Sequence, residues 1–435
     1  MYCAEDLKQG MKFFYENLYP ANELYQWWSY GEVQKDTFMK REFSFEIDIP
    51  GGGTTYKRYL CYENTEQFKN DLAKEVPRKI DVGAIYSAPP QRKLGMDSKA
   101  FVPVEKELVF DIDITDYDDV RSCCSGTDIC GSCWPLMAAA IKVMDRVLRE
   151  DFGFRCILWV YSGRRGVHCW VCDARARQLN QSGRTAVAEY IAVATQNKRS
   201  EGVSFVSLPK DLHPSLKQSY DEVLYPTFVN SVIPQQHLLD DEAHWSKILQ
   251  PLPHILSLHF FHLFFTLQDI AEKISEHWKK HDATPEERWQ ELVPIIQQAI
   301  AKKEIPYGDP IQDIVFTYTY PRLDIQVSIH MNHLLKSPFC VHPGTQRVCV
   351  PIDARICDQF DPLAVPTVRQ LENELNQYDA QHANDSQQPT KRPLYKKTSL
   401  ANYVKLLQSF LLEPLYQEIR LQKRTQMEER NTLDF

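Results

Sequence analysis

Near the start of the chain Leu7, Met11, Phe14 and Leu18 recur at three- and four-residue spacing, one face of a helix that Pro20 ends. Next, Phe43, Phe45, Ile47 and Ile49 alternate with Glu42, Ser44, Glu46 and Asp48, the period-two pattern of a half-buried strand. Gly51, Gly52 and Gly53 supply a turn, and Tyr56, Arg58 and Leu60 share one face of a return strand, which predicts a hairpin. Residues 79–86 and 106–114 read as further strands. Pro135 suits the first position of a helix whose apolar stripe is Leu136, Ala140, Val143, Met144, Val147 and Leu148. Strand patterns resume at 157–161 and 166–172.

Strands interleaved with helices predict a mixed α/β fold. Over 182–303 helical periodicity takes over, a helical insertion, and strand character returns at 314–320 and 347–352. The apolar run 255–267 is too short for the ~20 residues a membrane helix needs and reads as a buried helix, its His259 and His262 packed in a core. Residues 376–397, rich in Gln, Asn, Asp, Ser and Pro, read as a flexible linker, and Leu400, Tyr403, Val404, Leu407 and Leu411 make a last amphipathic helix. The expected division is 1–178 and 309–375 as two parts of one α/β unit, 179–308 as a helical subdomain, 376–397 as linker and 398–435 as helix and tail.

A chain of 435 residues predicts two or three such units at roughly 150 residues each. With 43% hydrophobic and 25% charged residues it can bury a core, which excludes wholesale disorder. The formal net charge is −8, so any grip on nucleic acid rests on local positive sites, metal ions or a partner rather than bulk attraction. Nothing at the N-terminus reads as a secretion signal, so the 12 cysteines are expected as core thiols or metal ligands. No phosphate loop of the G-x-x-x-x-G-K-[ST] type, no G-x-S-x-G elbow and no H-E-x-x-H pair occurs.

Four segments carry chemistry. Asp111 and Asp113, two apart on a strand, project side by side, while Phe110, Ile112 and Ile114 face the core. Adjacent carboxylates repel unless something positive lies between them, and Mg²⁺ favours carboxylate oxygens; the competing reading is a solvated strand end leading into an acidic loop. Cys123, Cys124, Cys130 and Cys133 can close a structural tetrahedral zinc site within a loop spanning 121–135, which is too polar to bury thiols in a core. Cys169 and Cys172, three apart on a strand, point to opposite faces and read as core thiols. Ser162, Arg164, Arg165 and His168 lie on or beside a turn between two strands, where paired guanidinium donors match phosphate oxygens. Asp324, Lys336 and His342 would complete a metal-plus-phosphate site if their segment folds against the first strand.

Together these segments resemble the small catalytic subunit of archaeal and eukaryotic DNA primases, in the eukaryotic form. The matching strings are REFSF at 41–45, KIDVGAIYS at 79–87, ELVFDIDITDYDDVR at 107–121 and the CC-x₅-C-x₂-C loop. DFGFRCILWVYSGRRGVHCWVCD at 151–173, PRLDIQVS at 321–328, HLLKSPFCVHP at 333–343 and KKTSLANYVK at 396–405 continue the match. The hairpin tip at 50–55 and the pair Ile329-His330 depart from the pattern.

The resemblance implies two β-sheets around an active-site cleft and synthesis of short RNA primers on single-stranded DNA. It implies Asp111, Asp113 and Asp324 as ligands of two Mg²⁺ or Mn²⁺ ions, and Ser162, Arg164, Arg165, His168, Lys336 and His342 as a triphosphate cradle. Asp81 would lie near the ribose, with Glu42, Tyr56 and Arg58 at the nucleotide and initiation site. The implied partners are the larger iron–sulfur primase subunit, DNA polymerase α, template, primer and nucleoside triphosphates, and the implied place is the nucleus. A repair polymerase of the same superfamily, or a non-catalytic zinc scaffold of a replication complex, are the competing readings; the D-x-D pair and the zinc loop argue against the first.

Overall fold

A computed structural model describes residues 4–32, 36–192, 206, 208–209, 211–249, 261–305, 308–382 and 393–433. Two antiparallel sheets organise them. The first runs β2 (Thr54–Leu60), β1 (Arg41–Asp48), β3 (Lys79–Tyr86), with β4 (Pro103–Glu105) and the late strand β8 (Leu335–Lys336) both on β3. The second runs β5 (Leu108–Asp113), β7 (Gly166–Val171), β6 (Ile157–Tyr161) and β9 (Pro351–Ile352). Residues beyond 330 therefore return to both sheets.

Helix Ala4–Asn17 and hairpin β1–β2 fall where the periodicity places them. Burial of β1 departs from simple alternation: Glu42 and Ser44 are as buried as Phe43 and Phe45. The polar face of the strand is covered by partners that satisfy it, because Arg58 and Tyr86 both donate to the Glu42 carboxylate. Helix Trp134–Glu150 carries the predicted stripe, packed in the core.

The sheets are joined by a buried ion pair. Arg41 of β1 forks onto Glu107, just ahead of β5, through Nη1 at 3.0 Å and Nη2 at 2.9 Å, and the Tyr30 hydroxyl also donates to that carboxylate. Both side chains are sealed from solvent. Burial alone would raise the Glu107 carboxyl; the Arg41 charge and hydrogen bonds outweigh it and hold it below the usual range. Truncating either partner would strand a buried charge, at a cost of roughly 3–5 kcal/mol.

Two expectations need correction. The segment 314–320 is not a strand but the end of helix Pro310–Thr319, started by Asp309, whose carboxylate accepts from the Ile311 N–H. Every residue of that helix except Gln312 is buried, so no polar face exists to reveal a helical period. The expected linker is also partly helical: Val368–Gln381 is capped by Thr367 and Gln370, and Leu394–Lys397 forms a 3₁₀ turn. Residues 383–392 lie outside the described residues.

Among the described residues of 182–303 every regular element is a helix, with loops between. Residues 255–260, with His259, fall outside them, and helix Phe261–Lys280 begins within the apolar run. Among the described residues no helix is long and apolar enough to cross a membrane.

Candidate nucleotidyl-transfer site

β5 and β7 pair so that Asp111 stands opposite His168 and Asp113 opposite Gly166. The match needs a glycine, because a Cβ at position 166 would lie 2.5 Å from the Ile112 carbonyl oxygen. Asp113 is held on both sides: Oδ1 accepts from the Thr115 N–H at 3.0 Å, and Oδ2 lies 2.6 Å from Arg165 Nε. Asp324 arrives from the distant helix Ile325–Ile329, which it caps through the Gln326 N–H, and its own N–H donates to the Asp111 carbonyl at 3.2 Å.

The three carboxylates thus gather at one sheet end. Burial, then the charges of Asp113, Asp324 and Asp116, push the Asp111 carboxyl up to about 7 against the pull of Arg165. Their oxygens do not close to ligand spacing; among the described residues the four thiols of the cysteine loop are the only set of three or more candidate ligands within 4.8 Å of one another. Like charges repel, and Asp113 is drawn toward Arg165. A divalent cation is the group this donor set suits, since it would relieve the repulsion that raises Asp111.

Around this cluster lie the residues expected to bind phosphate. His168 Nε2 is 3.6 Å from Asp111 Oδ1. Burial first, then Lys336 and Lys79, lower its ring to about 3, so it is neutral at pH 7. Lys336 of β8 donates to the Ser162 carbonyl at 3.0 Å, bridging the two sheets, while the Ser162 hydroxyl accepts from the Gly166 N–H. His342 packs against the glycine of the turn: Gly163 has φ +87°, and a Cβ there would meet His342 Cβ at 2.9 Å.

His342 Nδ1 accepts from the backbone N–H groups of Gly344 and Thr345, so the neutral ring keeps its proton on Nε2, a donor suited to a phosphate oxygen. Burial, Lys336 and the Arg164–Arg165 pair lower that ring to about 3.

On the first sheet, Asp81 pairs in register with Lys336 and has Lys79 Nζ 3.0 Å from its Oδ1. Burial raises its carboxyl, with Lys79 and Lys336 opposing. Lys79 also donates to the half-exposed Tyr56 at 3.3 Å, and Arg58 pairs with Glu42 at 2.9 Å. Lys79 escaped the sequence reading, although its place two residues before Asp81 on a strand gave the signal for a shared face.

The cysteine loop lies beside the same turn, where Arg164 donates to the Thr127 hydroxyl. Sγ separations are 3.8 Å for Cys123–Cys124, Cys124–Cys130 and Cys130–Cys133, and 3.7 Å for Cys124–Cys133. A tetrahedron with Zn–S bonds of ~2.3 Å has edges of about 3.8 Å, so the donor set fits a structural zinc and no disulfide. Buried Gln236, from the helical segment, holds the loop by accepting from the Ser122 and Cys123 N–H groups and donating to the Ser132 carbonyl. Cys169 and Cys172 are buried core thiols, as expected.

Fold and site together define an α/β protein of two antiparallel sheets with a carboxylate and guanidinium cluster and a four-thiol loop beside it. Residues 110–354 match the family model described as DNA primase small subunit. The chain is similar to the DNA primase small subunit of Schizosaccharomyces pombe, 41% identical over 83% of this chain and 77% of that one. It is 35% identical to that of Drosophila melanogaster over 94% and 92%, and 32% identical to that of Saccharomyces cerevisiae over 84% and 85%. The chain belongs to the DNA primase small subunit family, in its eukaryotic form, and is a catalytic subunit that synthesises RNA primers.

Proposed function

We propose that primer synthesis by this chain takes place at the Asp111–Asp113–Asp324 cluster as a two-metal nucleotidyl transfer on a single-stranded DNA template. The observation that carries the reading is the β5–β7 register, which sets Asp111 against His168 and Asp113 against Arg165 while Asp324 binds back onto the Asp111 backbone. The three aspartates would hold two Mg²⁺ or Mn²⁺ ions, which supply activation of the primer 3′-hydroxyl and stabilisation of charge at the α-phosphate.

The chain's other groups bind and orient. Arg164, Arg165 and Lys336 neutralise the triphosphate; neutral His342 and His168 donate ring N–H groups to it; Ser162 shapes the turn. Asp81, fixed by Lys79, faces the ribose, and Glu42 positions Arg58 beside Tyr56 for the nucleotide that starts the chain. The four cysteines would hold one zinc in a structural role, since a Cys₄ set leaves no coordination position open.

In this reading residues 1–178 and 309–375 form one catalytic unit, interrupted by the helical segment 179–308 and followed by a linker and C-terminal helix. A subunit of net charge −8 has little long-range attraction for a template. Template and primer are therefore held with the larger, iron–sulfur primase subunit, in a nuclear complex with DNA polymerase α.

The test is incorporation of labelled ATP on poly-dT with Mg²⁺ or Mn²⁺, for wild type and Asp113→Ala, with and without the larger subunit. Short RNA from wild type and none from the variant is the expected result. Undiminished synthesis by a folded Asp113→Ala protein would move catalysis away from this strand.

A further inference from the structure

Arg164 and Arg165 are neighbours on one turn, yet they are anchored differently. Arg165 pairs with Asp113. The Arg164 guanidinium reaches the other way, to the cysteine loop, and donates from Nη2 to the Thr127 hydroxyl at 2.6 Å. Its backbone is fixed as well, since the Tyr161 hydroxyl donates to the Arg164 carbonyl at 2.9 Å. On the far side of the guanidinium lies the His342 turn: a Cβ at Gly344 would stand 3.6 Å from Arg164 Nη1 and 3.3 Å from His342 Cε1.

Thr127 is itself rigidly placed. Buried Arg121 donates to the carbonyls on either side of it, Nη2 to Gly126 at 2.7 Å and Nη1 to Asp128 at 2.8 Å. The same Nη1 approaches the sulfurs of Cys124 at 3.3 Å and Cys133 at 3.8 Å. Asp118 closes the arrangement by accepting from the Gly126 N–H and pairing with Arg121. The thiol cluster, Arg121 and Thr127 are thus one connected unit, and its Thr127 hydroxyl is the acceptor for Arg164.

We infer that Thr127 is a positioning residue for nucleotide binding: the cysteine loop holds the Arg164 guanidinium beside His342, ready for a triphosphate. The inference rests on the proposed role of Arg164 as a triphosphate ligand. An arginine side chain carries much rotamer freedom that binding must remove. A single bond to a neutral hydroxyl fixes the fork while leaving four of its five N–H donors for phosphate. Part of the ordering cost is then met before the ligand arrives, which strengthens binding without a new contact. It also gives the cysteine loop a specific link to the chemistry, beyond holding the fold.

The test uses the full chain with its zinc, reading ATP affinity by calorimetry with Mg²⁺, and KM and kcat on poly-dT. Thr127→Val keeps shape and removes the acceptor; Thr127→Ser keeps the acceptor; Arg164→Gln probes the ligand itself. Thr127→Val should raise KM and the ATP Kd about five- to tenfold, the worth of a typical intramolecular hydrogen bond, with kcat within twofold and zinc content unchanged. Thr127→Ser should restore wild-type values, and Thr127→Val should add nothing in an Arg164→Gln background.

Wild-type affinity in Thr127→Val, with Arg164→Gln impaired, overturns the inference and leaves the triphosphate reading standing. Full affinity in Arg164→Gln overturns the triphosphate reading and the inference with it. Tighter ATP binding by Thr127→Val would mean that Thr127 withholds Arg164 from phosphate, and also overturns the inference. Should Thr127→Val lose zinc, Thr127→Ala is read by the same criteria; additive loss in the Arg164→Gln background would then assign Thr127 a purely structural role and reject the inference.

Discussion

Arg165 Nε lies 2.6 Å from Asp113 Oδ2, the one on the turn leading into β7, the other at the end of β5. Two motifs that sequence spacing leaves far apart therefore meet, and a carboxylate assigned to metal is shared with a guanidinium assigned to phosphate. The pairing limits the repulsion between Asp113 and its neighbours and keeps the arginine at the centre of the site.

Asp113→Asn should abolish primer synthesis while leaving the fold intact. The amide oxygen can still accept from the Thr115 N–H, so the local cap survives. What is lost is a negative charge needed by the metals, worth about a thousandfold or more in rate. Labelled-ATP incorporation on poly-dT together with a thermal melt checks both halves. A variant that retains a tenth of wild-type activity would argue against Asp113 as a metal ligand.

Gly166→Ala should be far more damaging than a single methyl group suggests. The added Cβ would sit 2.5 Å from the Ile112 carbonyl oxygen, so β5 and β7 must part at the point where Asp113 is held. We expect a destabilisation of roughly 1–3 kcal/mol, typical of overpacking, and a loss of kcat larger than stability alone explains. Denaturant titration set against kcat measures both; an active, stable variant would show that the register tolerates a shift.

Much of this was legible in the sequence because alternation and spacing survive where a strand has one covered face. Phe110, Ile112 and Ile114 are buried while Asp111 and Asp113 stay partly exposed beside His168 and Arg165, as period two requires. Helix Pro310–Thr319 was misread because it is buried nearly all round, and Ile314, Val315 and Phe316 then imitate a strand. Asp324 stands out in the sequence as a further candidate carboxylate, but only the resemblance ties it to Asp111: their approach spans more than two hundred residues, and no local rule encodes such a contact. Lys79 and Thr127 were passed over for the opposite reason, being ordinary polar residues whose meaning comes from the side chains they touch.

Cys130→Ser should release the loop from its metal. The sulfur separations of 3.7–3.8 Å are set for four thiolates around one ion, and three ligands bind far more weakly. Wild type should carry one zinc per chain by elemental analysis, and the variant little or none. Because Gln236 anchors the loop to the helical segment, the melting temperature should fall as well. Equal zinc in both proteins would mean that the metal is held elsewhere.

Asp313 provides a pH test remote from the site. Its side chain is fully buried, with Oδ1 accepting from the Leu208 N–H at 2.9 Å. Burial, against that hydrogen bond and aided by Asp309, raises the carboxyl to about 8. Unfolded, the same group titrates near ~3.9. Between about pH 4 and 8 the native state therefore keeps a proton that the unfolded chain has released, so this group's contribution to stability is complete at acid pH and is lost as pH rises through 8. Asp313→Asn keeps the acceptor for Leu208 and removes the titration. Raising pH from 5 to 8 should lower the wild-type melting temperature by a few degrees more than that of the variant. The two proteins should converge at pH 5, and the variant should be the more stable at pH 8. Parallel curves across that range would mean that Asp313 stays ionised in its buried place.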